Sequence, residues 1–229
     1  MAKRSTDYFL ELSSRLEKEG KILDALQVLK NALRLHPKDK YLLNNIGYLY
    51  SRTGKYKLAV KYLKKAISLD RRFYPAYNNL AHAYENLGLF DLAQQACERA
   101  LEINPDYAEA YNNLGNIFTD KNLKKSAIQA YLKAIELKPD FDVAYNNLGT
   151  LYYEEGRLYD AIRVYKEALK FNPNSALTHY NLGVALYKLG DKEGALKEWE
   201  ESLKIMPEQL RVKEIVSRLK EELKEESKE

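Results

Sequence analysis

This sequence holds almost nothing from which to build disulfides, membrane spans or catalytic clusters. Cysteine occurs once, as Cys97, so no internal bridge can form and the small secreted scaffolds stapled by disulfides are excluded. The opening residues, MAKRSTDYFL, are basic but hold no apolar run of signal-peptide length. No later stretch approaches the roughly 18 to 20 apolar residues of a membrane-spanning helix. A reducing, cytoplasmic setting with no membrane span is therefore expected. A phosphate-cradling glycine-rich loop is also missing.

What the chain has instead is an ordinary folded composition, 45% apolar and 31% charged over 229 residues, with a mild net charge of +4. That charge is unevenly placed. Residues 1–73 carry 17 Lys and Arg against 7 Asp and Glu, whereas residues 74–229 carry 20 against 26. Lys57, Lys61, Lys64 and Lys65, followed by Arg71 and Arg72, supply much of the excess. Such a run reads first as a solvated face. An acidic protein, a lipid surface or RNA docking there are the alternatives.

The chain repeats itself every 34 residues without insertion or deletion, in six units: 6–39, 40–73, 74–107, 108–141, 142–175 and 176–209. Counting from each unit's first residue, place 20 is Ala25, Ala59, Ala93, Ala127, Ala161 and Ala195, an invariance that a close helix-to-helix approach requires. Places 7 and 8 are an apolar residue and then a small one, as in Leu114-Gly115 and Leu148-Gly149. Places 4, 7, 8 and 11 share one helical face, as do places 20, 24 and 27, so each unit is predicted to be two amphipathic helices. Place 15, between them, is Gly20, Gly54, Gly88, Gly156 and Gly190, with Asn122 in the remaining unit. Glycine and then asparagine is the order of preference for a left-handed residue that closes a helix. Place 32 is Pro37, Pro105, Pro139, Pro173 and Pro207, which stops the second helix. Asp106, Asp140 and Asn174 follow as candidate caps for the next one. In the second unit Arg71 replaces the proline and Pro75 comes later, which predicts a locally different turn.

An aromatic residue, Leu-Gly, Tyr, Gly, Ala, aromatic, Ala and Pro at this spacing resemble the tetratricopeptide repeat family, and the resemblance runs over residues 6–209. It implies an all-α, right-handed superhelix of six stacked helix pairs in a single domain spanning 1–229. First helices would line a concave groove and second helices would form the back. A helix over 210–226, with Val212, Ile215, Val216, Leu219 and Leu223 on one face, is expected to cap the last pair. The resemblance also implies a non-enzymatic adaptor that binds other proteins.

The most informative stretch is AYNNLG, at Ala110–Gly115 and again at Ala144–Gly149. At 100° per residue, place 6 points away from the face formed by places 4, 7, 8 and 11. It holds Asn45, Asn79, Asn113, Asn147 and Asn181, and place 5 adds Asn44, Asn78, Asn112 and Asn146. In helix interiors these asparagines cost up to roughly 5 kcal/mol of propensity together, so drift is a poor account of them. An amide offers both a donor and an acceptor and can hold a peptide backbone through both. First helices about 8 to 10 Å apart and an extended peptide advancing about 3.3 Å per residue would bring one asparagine to roughly every third ligand residue. The row resembles the asparagine-lined repeat domain of O-GlcNAc transferase and similar rows in kinesin light chains. Hydrogen bonds between repeats, with no ligand, are the competing account of place 6 and the favoured account of place 5. Beside the row, Tyr48, His82, Asn116, Tyr153 and Tyr180 are candidate contacts to an extended protein or peptide ligand.

Catalytic chemistry finds no cluster. His36 precedes a turn proline, His82 faces the groove and His179 takes core place 4; the last two lie three repeats apart and cannot share a metal. Cys97 stands at place 24, filled elsewhere by Leu29, Leu63, Tyr131, Tyr165 and Trp199, and reads as an inert core thiol. No enzyme activity, cofactor or metal is expected. Self-association through repeat faces or the C-terminal helix is the alternative function. RNA binding, by analogy with the 35-residue pentatricopeptide repeats, is disfavoured because nearly the same asparagine recurs in every unit.

Overall fold

A computed structural model describes residues 5–226; the basic start, Met1 to Arg4, and the last three residues lie outside it. Among the described residues the chain forms thirteen α-helices and no strand. They are α1 (Thr6–Lys18), α2 (Ile22–Leu35), α3 (Lys40–Arg52), α4 (Tyr56–Leu69), α5 (Tyr74–Glu85), α6 (Phe90–Ile103) and α7 (Ala108–Asp120), then α8 (Lys124–Leu137), α9 (Asp142–Glu154), α10 (Leu158–Phe171), α11 (Ala176–Leu189), α12 (Lys192–Ile205) and α13 (Leu210–Glu226). They gather into two compact units, α1–α7 and α8–α13. In the first, α1 packs on α2, α3 on α4 and α5 on α6, while α1, α3, α5 and α7 lie side by side in that order. In the second, α9 packs on α10 and α11 on α12, α9 lies beside α11, and α13 packs on α12. The fold class is all-α, built of helix pairs in tandem.

Two places let the helices of a pair approach closely. The six place-20 alanines are wholly buried. Opposite them, a Cβ on Gly47 would sit 2.5 Å from Leu63 Cγ, one on Gly149 2.4 Å from Tyr165 Cε1, and one on Gly183 2.5 Å from Trp199 Nε1. Place 8 is thus the socket into which the place-24 side chain inserts. Leu63, Tyr165 and Trp199 are all buried there. In the third unit the larger Ala81 at place 8 goes with the smaller Cys97 at place 24, and both are wholly buried. Burial pushes the Cys97 thiol far above its usual range, so it stays protonated and unreactive.

The first helices bury more than the predicted stripe. Places 3 and 10 are wholly or nearly wholly covered as well, at Leu42, Ala76, Ala110 and Ala144, and at Leu49, Ala83, Ile117, Leu151 and Ala185. Place 4 is correspondingly less covered: Tyr77, Tyr111 and His179 are half-buried. A first helix touches its own partner, the second helix of the preceding repeat (α2 on α3, α4 on α5, α10 on α11) and the neighbouring first helix, so a single amphipathic stripe under-describes it.

Each of the five place-15 glycines has positive φ, between 71° and 95°, and Asn122 takes the same conformation at 57°. Behind the glycines, Lys21, Lys55, Leu89, Arg157 and Asp191 donate their backbone N–H to the carbonyl five residues back, at 2.8 to 3.0 Å, which closes the first helix.

Two expectations about the other turn give way. Asp106, Asp140 and Asn174 do not cap the following helices: the residues before α7 and α9 are Tyr107 and Phe141, with no side-chain cap, and Ser175 caps α11 through Thr178 N–H. The turn at Arg71 is not distinct either. From the first unit to the fifth, the place-34 N–H donates to the place-31 carbonyl, Phe73 to Asp70 in the second unit as Tyr107 to Asn104 in the third. That bond does not involve place 32, so Arg71 serves as well as proline. Pro75 sits in the first turn of α5, where its missing N–H is no loss.

Two glycine roles should separate on substitution. Gly149→Ala should lower unfolding free energy by about 1 to 3 kcal/mol through overpacking against Tyr165. Gly156→Ala, with open space around it but φ of 73°, should cost about 1 kcal/mol through backbone strain alone. Urea denaturation measures both, and equal midpoints for Gly149→Ala and the parent would contradict the socket.

Candidate functional site

The asparagine doublets lie where neighbouring first helices meet. Place 5 is buried: Asn44 and Asn78 in the first unit and Asn146 in the second are 9%, 7% and 6% exposed. Place 6, one residue on and 100° round the helix, is half-buried at Asn45, Asn79, Asn113, Asn147 and Asn181. The two are joined across helices. Asn79 Nδ2 donates to Asn44 Oδ1 at 3.0 Å and Asn113 Nδ2 to Asn78 Oδ1 at 2.8 Å, within the first unit. In the second, Asn181 Nδ2 donates to Asn146 Oδ1 at 3.1 Å. The doublet Asn78-Asn79 does both, reaching back with its second residue and accepting with its first.

The row begins where no such acceptor exists. The first unit has Leu10 at place 5, and Asn45 Nδ2 instead turns onto its own helix, 2.9 Å from the Tyr41 carbonyl. In the other direction, Asn146 Nδ2 lies within 3.0 Å of the Asp142 carbonyl, Asp142 Oδ1 and Thr178 Oγ1. The Asp142 carboxylate also accepts from Asn172 Nδ2, Ser175 Oγ and Thr178 Oγ1, each at 3.1 Å. Thr178 is wholly buried in this cluster. The signal for it in the sequence is a threonine at place 3, where the four repeats before it have leucine or alanine.

These bonds commit one amide nitrogen of Asn79, Asn113 and Asn181. The Oδ1 atoms of the three make no hydrogen bond among the described residues. The inter-helix bond therefore fixes the orientation of the amide and leaves its acceptor available.

The other candidate residues fall into separate groups. His82 is exposed on α5, with Asn86 Nδ2 bonded to its carbonyl at 2.9 Å, and Asn116 is half-buried on the adjacent α7. Tyr48 is tied to the neighbouring helix: its hydroxyl donates to Glu17 Oε1 at 2.9 Å, and Arg52 Nη1 reaches the same oxygen at 2.6 Å. Tyr180 is half-buried, and its carbonyl accepts from Trp199 Nε1 at 3.1 Å. Tyr153, Tyr187 and Trp199, with Ile215 and Leu219 of α13, line a largely apolar cavity of about 390 Å³ whose rim carries Lys188 and Arg218. That cavity depends on α13 and could not be drawn from the repeat pattern alone.

Glu85, at the end of α5, is the unusual carboxylate. Its Oε2 is shielded from solvent and has no hydrogen-bond partner. Burial, and the nearby charge of Asp120, raise its pKa to about 7. Among the described residues, no group of His, Cys, Asp and Glu side chains is placed to share a metal ion, and no helix is long and apolar enough to cross a membrane.

With this geometry in hand, comparison with known proteins is specific. Sequence models of the tetratricopeptide repeat match residues 41–73, 74–107, 96–129 and 176–209, and a further repeat model of the same kind matches 115–156 and 149–190. No curated protein matches the chain. Among solved structures, a chain of the APC/C hetero-tetramer Cut9–Hcn1 is similar at 18% identity and a TM-score of 0.75, over 92% of this chain and 42% of that one. Yeast Tom70 is similar at 22% identity and a TM-score of 0.76, over 88% and 44%. YrrB, described as a TPR protein with an unusual peptide-binding site, is similar at 22% identity and a TM-score of 0.57, over 82% and 96%. This chain thus spans less than half the length of the first two.

The Asn78–Asn113 bond is open to a double-mutant cycle. Alanine at each position and at both should return a coupling of about 0.5 to 1.5 kcal/mol in urea denaturation; zero coupling would mean the bond contributes nothing. Glu85 predicts a pH dependence. Its folded pKa is raised from 4.5 to about 7, so the stability it contributes is full below about pH 4.5 and is lost as pH rises through 7. Glu85→Gln should therefore gain stability relative to the parent between pH 5 and pH 8, as followed by thermal unfolding across that range.

Proposed function

Because the chain belongs to the tetratricopeptide repeat family, we propose that it is a non-enzymatic protein-interaction module that holds an extended segment of a partner against its first helices. The observation that carries this is the oriented amide row: Asn79, Asn113 and Asn181 are each held by one N–H, with the carbonyl oxygen uncommitted. A partner's backbone N–H is the complementary group. The same amide can serve stacking and binding together, because the two uses draw on different atoms.

The flanking residues supply selectivity within this proposal. His82 and Asn116 flank the row in the first unit, and the cavity beside Tyr153 in the second suits a bulky apolar side chain. Tyr48, Asn45, Asn147 and Tyr180 complete the contact set. The boundaries 6–39 through 176–209, a single domain over 1–229, a closing role for helix 210–226 and a cytoplasmic setting belong to the same proposal.

The test begins with a partner recovered by pull-down and its bound segment mapped. Asn79, Asn113 and Asn147 replaced together by alanine should weaken that segment by about tenfold or more in calorimetric titration, with helicity retained by circular dichroism. Unchanged affinity in an equally helical variant would end the amide-row proposal.

A further inference from the structure

Three cations of the basic stretch 1–73 meet at an open cavity of about 520 Å³ between α2 and α4. Lys30 and Arg34 reach it from α2 and Lys65 from α4, over a floor that includes Leu33, Leu43 and Tyr62. No carboxylate lines it. The nearby acids are already engaged: Asp39 caps α3 and accepts from Thr6 Oγ1 at 2.8 Å, while Asp70 accepts from Lys40 Nζ and from Arg72 N–H. Helix α4 contains no acidic residue at all. None of Lys30, Arg34 and Lys65 has an ion-pair partner among the described residues; Lys30 Nζ lies instead 5.2 Å from the centre of the Tyr50 ring.

We propose that this cavity on the second helices is a docking site for an acidic polypeptide segment carrying a bulky apolar side chain. Three uncompensated cations call for an anionic partner, and the apolar floor decides which kind. A solvated face needs no hydrophobic floor, and a phosphate backbone has no group to fill one. An anionic bilayer surface meets protruding apolar side chains, not a recess. A carboxylate-flanked leucine or phenylalanine fits both halves of the site, the ring or branched chain in the recess and the acids on Lys30, Arg34 and Lys65. The site uses none of the first-helix residues assigned above.

The probe is a short fluorescein-labelled peptide in which aspartates and glutamates flank one leucine and one phenylalanine, followed by fluorescence anisotropy. Binding should weaken with added salt and fall by about tenfold or more in the triple variant Lys30→Glu, Arg34→Glu, Lys65→Glu. It should fall comparably, on the unaltered protein, when serine replaces both apolar residues of the peptide. Asn79→Ala with Asn113→Ala should leave it unchanged. The proposal is overturned if the peptide does not bind, if charge reversal leaves binding intact, or if the serine peptide binds equally well. It is also overturned if polyuridylate or phosphatidylserine vesicles bind in preference and lose binding in the triple variant. Should that variant lose helicity, the serine peptide alone decides.

Discussion

A methyl group at Gly149 has no space to occupy, because the edge of the Tyr165 ring already lies over the α9 backbone; Gly47 and Gly183 are filled likewise by Leu63 and Trp199. This close approach within each helix pair is the constraint on which the other features rest. Dispersion weakens sharply when a gap of even 0.5 to 1 Å opens, so a pair held further apart would lose much of what holds it. Close pairs still leave the opposite flank of the first helix uncovered. Places 3 and 10 fill that flank largely with alanine, leucine and isoleucine, and the preceding repeat lies against it, with α2 packed on α3, α4 on α5 and α10 on α11.

The other side of the first helix, which meets the following repeat, poses a problem that the asparagine doublet answers. Place 5 lies within the seam between first helices and is nearly inaccessible to water, so an unpaired polar group there would cost about 1 to 3 kcal/mol. Place 6 of the following repeat supplies the missing donor. Two identical residues in sequence thus do opposite jobs, one accepting from the repeat ahead and one donating to the repeat behind. Identical spacing in adjacent repeats makes this self-consistent, as Asn78-Asn79 shows by bonding on both sides. Where the pattern stops, the chain improvises: Asn45 bonds its own helix, and Asn146 also gathers Asp142 and Thr178.

Features set by one residue's own chemistry were legible in the sequence. Alanine at place 20, glycine or asparagine at place 15 and the small residue at place 8 announce helix pairs and turns directly, whereas the fit of place 24 into place 8 shows only in the structure. Features that depend on a neighbouring repeat were not. The stripe at places 4, 7, 8 and 11 accounts for the contact within a pair but misses places 3 and 10, because those lie on the side that meets the preceding repeat. Caps were misread for a related reason. Asp106 and Asp140 have favourable side chains, yet the bond from place 34 to place 31 puts the cap position one residue later, at Tyr107 and Phe141. At the candidate site the amide row was visible, but not which atoms of each amide are committed. That depends on the register between adjacent helices.

The same constraint explains why the two kinds of helix carry different polar chemistry. A charge placed in the seam between first helices would lose most of its hydration, a penalty of several kcal/mol per ion even after relaxation. Neutral amides carry no such penalty once bonded, and they fill places 5 and 6, while the charged groups between first helices are themselves bonded, Glu17 to Arg52 and Tyr48, and Asp142 to Thr178. Glu85 marks the limit of tolerance: partly enclosed beside the row, it holds its proton up to about pH 7. The outward faces of second helices have no seam to satisfy, so lysines accumulate on α4 without an acid among them. Stacking therefore favours uncharged hydrogen-bonding groups at places 5 and 6 of the first helices, suited to a peptide backbone, and leaves the outward faces of the second helices open to charge-based recognition.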